Sequence, residues 1–337
     1  MKKLRRIDLY IIPLFIVCLA AVILRSVALF NSFNSVTMHF DDKIVITISN
    51  ILVAISCLGF GSYLFLGESE RELIVINNNN ARSYIPAGIV STAILFMGAQ
   101  NLITMIEGRY PDGPIPVLAG LCALLALLST VSFFLSVFIE QNEHMYKAAF
   151  SLSIVFFLAL YAAMLFFNKQ THPTNSPNKL VDQFAYISAA IFFLYESRIC
   201  LGRAKWRAYV SFGLISTLLC AYSAIPALII YISNGYTVSD SLTESVLSLA
   251  LAILICSRVL QTRSLTPAGE CDAAKSIVQL AMLRKDEIEE SRKLARAHVN
   301  NIIEENDDTE DASNYTFDLP EAEGEADFTE ADDGSDQ

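Results

Sequence analysis

Hydrophobic residues along this chain fall in long, almost uncharged blocks separated by short polar stretches. Eight blocks stand out, at 8–30, 44–66, 84–106, 115–139, 145–167, 180–200, 207–232 and 238–260. Each is close to the roughly 20 residues a helix needs to cross a bilayer core. A transmembrane barrel would instead show spans of about ten residues alternating between apolar and polar, and no such alternation occurs. Backbone groups in lipid must be satisfied within the segment itself, so uniformly apolar blocks of this length predict helices. The expected fold is an all-α polytopic membrane protein with eight transmembrane helices.

A second pattern lies on top of the first. FLGES at 65–69 is followed by RSYIPAGIVST at 82–92, and FLYES at 193–197 is followed by RAYVSFGLIST at 207–217. The pattern's members are Glu68, Ser69, Arg82, Tyr84, Gly88, Ser91 and Thr92 in one copy, and Glu196, Ser197, Arg207, Tyr209, Gly213, Ser216 and Thr217 in the other. The copies join the second and third, and the sixth and seventh, predicted spans. An offset of four helices points both the same way, as two parallel four-helix repeats related by an axis along the membrane normal would be. The expected domains are thus a first half at 1–140 and a second at 141–263. Gly88 with Thr92 and Gly213 with Thr217 form small-xxx-small pairs, which let helix backbones approach closely and pack. Glu68 and Arg82, and Glu196 and Arg207, flank short loops, where a Glu–Arg clasp would fix hairpin geometry. Trp206 at the same boundary reads as an interfacial anchor.

Charge orients this arrangement. With the N-terminus in the cytoplasm, thirteen Lys and Arg fall on the inner segments against four on the outer ones. Positive residues concentrate on cytoplasmic loops, so a plasma-membrane protein with both termini inside is expected. MKKLRR before the first block resembles the start of a signal peptide. The apolar stretch is too long for one, and Arg25 precedes the small residues of a cleavage site, so the block reads as a first membrane helix.

Few charges enter the spans. Arg25 and Glu244 each lie about one and a half turns inside the same membrane face, and they would form an intramembrane ion pair if the first and last spans met; Asp182 and Glu107, nearer that face, are alternative partners for Arg25. Ionisable groups inside a membrane are functional candidates by default.

Past the last span the composition changes. SLTPAGE at 264–270 is a breaker, 271–303 reads as a cytoplasmic helix, and 304–337 as an acidic, disordered tail. That tail holds fifteen Asp and Glu and no Lys or Arg, so the formal charge of −11 becomes +4 without it. The anticipated partners are the lipid bilayer and a cytoplasmic protein contacted through 271–337. Nucleic acid is not expected of an acidic soluble part.

Candidate chemistry is sparse. The seven cysteines lack CxxC spacing and the four histidines are isolated, so neither a metal nor a disulfide framework is expected. Neither a phosphate-binding loop nor a hydrolase or kinase motif occurs. The sequence thus points away from an enzyme and away from a cofactor. A non-catalytic sensor or scaffold is the first expectation. A small-solute transporter with a cavity between repeated halves is the alternative.

Overall fold

The computed structural model describes residues 7–34, 39–66, 81–110, 113–138, 144–167, 177–200, 205–235, 238, 241–262 and 290–294; within these the side chains of 8, 81–84, 134–150, 177 and 200 lie outside the description. Two compact units divide the chain, 1–280 and 281–337. All the elements below belong to the first.

Eight long helices coincide with the eight apolar blocks. They are α1 (Asp8–Ser32), α2 (Ile44–Gly61) with its one-turn continuation α3 (Tyr63–Leu66), α4 (Ala81–Ile106), α5 (Ile115–Phe138), α6 (His144–Phe167), α7 (Pro177–Cys200), α8 (Trp206–Asn234) and α9 (Leu242–Gln261). A two-residue ladder, β1 (Phe33–Asn34) with β2 (His39–Phe40), closes the α1–α2 connection in antiparallel register. Six stretches are long and apolar enough to cross a membrane: α1, α2 with α3, α4, α5, α8 and α9. The described apolar part of α6, Ser151–Phe167, is shorter. α7 is too polar to count, because it carries Asn178, Lys179, Asp182, Gln183, Glu196 and Arg198.

The surface fits a membrane as well as the lengths do. Leu9, Ile12, Phe15, Ile16, Leu19 and Ile23 form one exposed stripe down α1. A soluble protein turns such a helical stripe toward its core. Here it faces outward, where hydrocarbon is the medium that favours it.

Helix ends follow local chemistry. Ser241 caps α9, its Oγ accepting from the Glu244 N–H at 3.2 Å. Ser-Leu-Thr-Glu at 241–244 is the order of a capping box, and Glu244 in the first turn also complements the positive end of the helix dipole. α8 ends at Gly235, whose φ of 73° only glycine adopts at little cost, and whose N–H reaches Tyr231 O at 2.9 Å.

The helices are arranged about α8, which is enclosed over most of its length. α1, α2, α3, α7 and α9 all pack on it. The remaining helices close a ring, with α9 against α4, α4 against α5, α5 against α6 and α6 against α7. Packing rather than hydrophobicity drives helix association in lipid, and the closest approaches occur at small residues. A Cβ placed on Gly213 would lie 2.4 Å from Val259 Cγ2 and 3.1 Å from the Phe192 ring, so α8 meets α9 and α7 where no side chain fits. A Cβ on Gly98 would lie 2.6 Å from that of Ala126, which sets the α4–α5 distance.

The two sequence-like regions sit in different surroundings. α8 is central, whereas α4 packs on α5 and α9. A Cβ on Gly88 would meet nothing within 4 Å. Both threonines make the same bond to the carbonyl one turn back, Thr92 to Gly88 O at 2.9 Å and Thr217 to Gly213 O at 2.8 Å. Thr217 is buried and Thr92 is exposed.

This contrast yields a direct test. Gly213→Ala should lower the thermal midpoint of the purified protein, by the equivalent of roughly 1–3 kcal/mol of overpacking. Gly88→Ala should leave it unchanged or raise it slightly, since alanine is the better helix former. Equal effects at the two positions would contradict the packing described.

Candidate functional site: a buried polar joint at one end of the bundle

We call the end at which α1 finishes the far end and the opposite one the near end. At the far end, five helices contribute polar side chains to one buried cluster. α1 supplies Arg25, α2 supplies Ser49 and Asn50, α7 supplies Asn178, Lys179, Asp182 and Tyr186, α8 supplies Tyr222 and Ser223, and α9 supplies Glu244 and Ser248. Arg25, Lys179, Asp182 and Glu244 are each no more than 3% exposed.

Hydrogen bonds run through this cluster from helix to helix. Tyr222 OH lies 2.9 Å from Ser49 Oγ and 2.7 Å from Asn50 Oδ1. Ser49 Oγ donates to Ala21 O of α1 at 3.3 Å. Ser223 Oγ donates to Asp182 Oδ1. Tyr186 OH donates to Glu244 O at 3.2 Å and accepts from Ser248 Oγ at 3.0 Å. α8 is thereby joined to α2 on one side and to α7 on the other, and α7 in turn to α9. Each bond is modest alone, about 0.6 kcal/mol on average between membrane helices. Leaving such a group unbonded in the interior costs more, about 1–3 kcal/mol.

Arg25 is held differently from the expected ion pair. Its Nη2 donates to Asn178 Oδ1 at 3.0 Å, and its Cζ stands 4.5 Å from the centre of the Tyr222 ring. The contacts of this guanidinium are therefore an amide oxygen and an aromatic face. α1 packs on α8, which places Tyr222 beside Arg25. Glu244 stands in the first turn of α9, where its N–H donates to the capping Ser241 Oγ.

The near end carries a second buried polar contact. Glu196 Oε1 of α7 lies 3.5 Å from Arg258 Nη1 of α9, with both side chains almost fully enclosed. The clasp anticipated between Glu196 and Arg207 thus has Arg258 in it. α7 and α9 both finish at this end, whereas Arg207 begins α8 and is half-buried. Tyr209 stacks between Trp206 and Phe192, with centroids at 5.9 and 4.7 Å. Trp206 is itself buried, at 4% exposure, so it is a packing residue here. Ser211 Oγ donates to Phe60 O of α2 at 3.0 Å. Glu68, and the side chains of Arg82 and Tyr84, lie outside the described residues.

Sequence reasoning singled out Arg25 and Glu244, with Asp182 as an alternative partner, and did not single out the other members of the cluster. Ser241-Leu-Thr-Glu244 was a readable signal of the α9 cap. Asn178, Asp182 and Gln183 were readable as polar residues crowding the start of a supposedly apolar block. Tyr222, Ser223 and Ser49 carry no such mark, because hydroxyl residues are common in membrane helices. Among the described residues no group of three or more His, Cys, Asp or Glu is placed to hold a metal ion. No protein-family model matches this chain, nor does any curated protein or solved structure.

Removing one partner of a buried pair leaves the other charge uncompensated, at a cost of roughly 3–5 kcal/mol. Glu196→Gln should therefore lower the thermal midpoint clearly, and Glu196→Gln combined with Arg258→Met should recover most of the loss. A double variant as unstable as the sum of its singles would show that the two side chains do not interact.

Proposed function

We propose that this chain is a non-enzymatic plasma-membrane sensor or scaffold. In this reading all eight long helices span the bilayer and both termini face the cytoplasm. The C-terminal segment at 271–337 contacts a protein partner there. The observation that carries the reading is the polar joint at the far end. Its hydroxyl, amide and carboxyl groups are bonded across helices around α8, which is how a fixed, specifically packed bundle uses buried polarity. Support for the orientation comes from the excess of Lys and Arg on one set of loops. Support for the partner comes from the acidic tail, whose charge suits a basic surface.

A transporter is the second reading, and one observation favours it. Arg25 and Glu244 are ionisable groups buried within candidate spans, as in many solute pathways. The four-helix repeat enters only as a likeness of sequence, because α4 and α8 have different neighbours.

One pair of experiments separates the readings. Deleting 271–337 should abolish in-cell cross-links between the protein and its cytoplasmic partner while the bundle still inserts and purifies. Proteoliposomes of the full chain should show no accumulation of amino acids, sugars or inorganic ions above empty vesicles. Cross-links that survive the deletion would sink the scaffold reading, and accumulation abolished by Arg25→Gln would establish the transporter.

A further inference from the structure

Arg25 is a permanent cation, 2% exposed, whose contacts are the Asn178 amide oxygen and the Tyr222 ring. Of its three nitrogens, only Nη2 has an acceptor; Nε and Nη1 are buried without one. The other atom of the Asn178 amide, Nδ2, is also buried without an acceptor. It belongs to the same planar amide that Arg25 grips, so three unfilled nitrogen donors lie within one small region. The Asn178 amide is not free to turn over, because its oxygen must face the guanidinium.

The end of a helix adds a favourable field for an anion. Asn178 stands in the first turn of α7, a helix of 24 residues beginning at Pro177. Helix N-termini present unpaired N–H groups and a partial positive charge, and they bind anions readily. The same cluster holds one unfilled buried acceptor, Glu244 Oε1 on α9, so the three nitrogen donors outnumber it. The charged neighbours are Lys179, Asp182 and Glu244. Asp182 accepts from Ser223 across the α7–α8 interface, and Glu244 lies in the capping turn of α9. An isolated buried charge is costly even after relaxation, and a cation–π contact returns only part of that cost. A bound counter-charge closes that gap.

We propose that Arg25, Asn178 and the first turn of α7 form a binding site for a small monovalent anion such as chloride. The anion is a structural ligand. It fills the donors left over by the α1–α7 contact and locks α1 onto the far end of the bundle. The proposal stands independently of whether the protein is a scaffold or a transporter.

The test uses the purified full chain in nanodiscs of zwitterionic lipid. Chloride is titrated at constant ionic strength against a bulky organic anion, and the thermal midpoint is followed. Wild type should show a saturable rise in midpoint with chloride. Asn178→Ala should shift the half-saturating concentration upward by about tenfold, the effect of losing one strong hydrogen bond to a charged group. Arg25→Gln should abolish the dependence. Chloride-35 line broadening, measured on the same samples, should follow the same order. A wild-type midpoint indifferent to chloride would overturn the proposal and assign the donors to buried water. A rise of equal size in all three proteins would overturn it as well, as a general salt effect. If Arg25→Gln does not fold, wild type and Asn178→Ala decide between these outcomes.

Discussion

A polar side chain inside a bilayer has no water to fall back on, so one that its own helix cannot satisfy must find its partner on another. That constraint organises this protein. Tyr222 and Ser223 are neighbours on α8 and point to different helices, Tyr222 to Ser49 and Asn50 on α2, Ser223 to Asp182 on α7. Hydrophobic packing would tolerate several rotations of α8. The two hydroxyls accept one, because each alternative breaks the bonds to α2 or the bond to α7. Buried polarity here selects a single arrangement among many that are equally apolar.

The glycine and alanine contacts act on top of that selection. Once α8 is oriented, Gly213 faces Val259 and Phe192 at distances that exclude any side chain. The aromatic stack of Phe192, Tyr209 and Trp206 then fills the near end, and Glu196 meets Arg258 across α7 and α9. The two ends of the bundle are thereby fixed by different means. The far end has a network of hydroxyls, amides and carboxylates with two cations, Arg25 and Lys179, and the near end has an ion pair beside an aromatic stack. The proposed anion belongs to the far end, where the buried Arg25 guanidinium is held by an amide oxygen and an aromatic ring.

Much of the helical layout was legible in the sequence. Length and unbroken apolarity located all eight helices to within a few residues, since those properties are local. Six of them meet the requirements of a membrane span by length and composition. What the apolar blocks could not convey was adjacency. Nothing in the repeated FLxES pattern distinguishes a central helix from a peripheral one, yet α8 is central and α4 is not. The same holds for the pairing of charges. Arg25 and Glu244 share a depth in the sequence, but depth is one coordinate of three. α1 lies on α8, and Arg25 meets Tyr222 and Asn178 instead. Glu196 likewise has its partner 62 positions away on α9, where spacing rules give no guidance.

The account rests on α8 being the hub at which α2 and α7 are held at once. Thiol cross-linking in native membranes measures this directly, with paired cysteines introduced into a background lacking the seven native ones and a short bifunctional maleimide, since a tyrosine side chain separates the α2 and α8 backbones by more than a disulfide spans. Ser49→Cys with Tyr222→Cys, and Asp182→Cys with Ser223→Cys, should each be bridged within one chain rapidly and in high yield. If the second pair links but the first does not, α2 is not seated on α8, and the joint described here does not exist as a single unit.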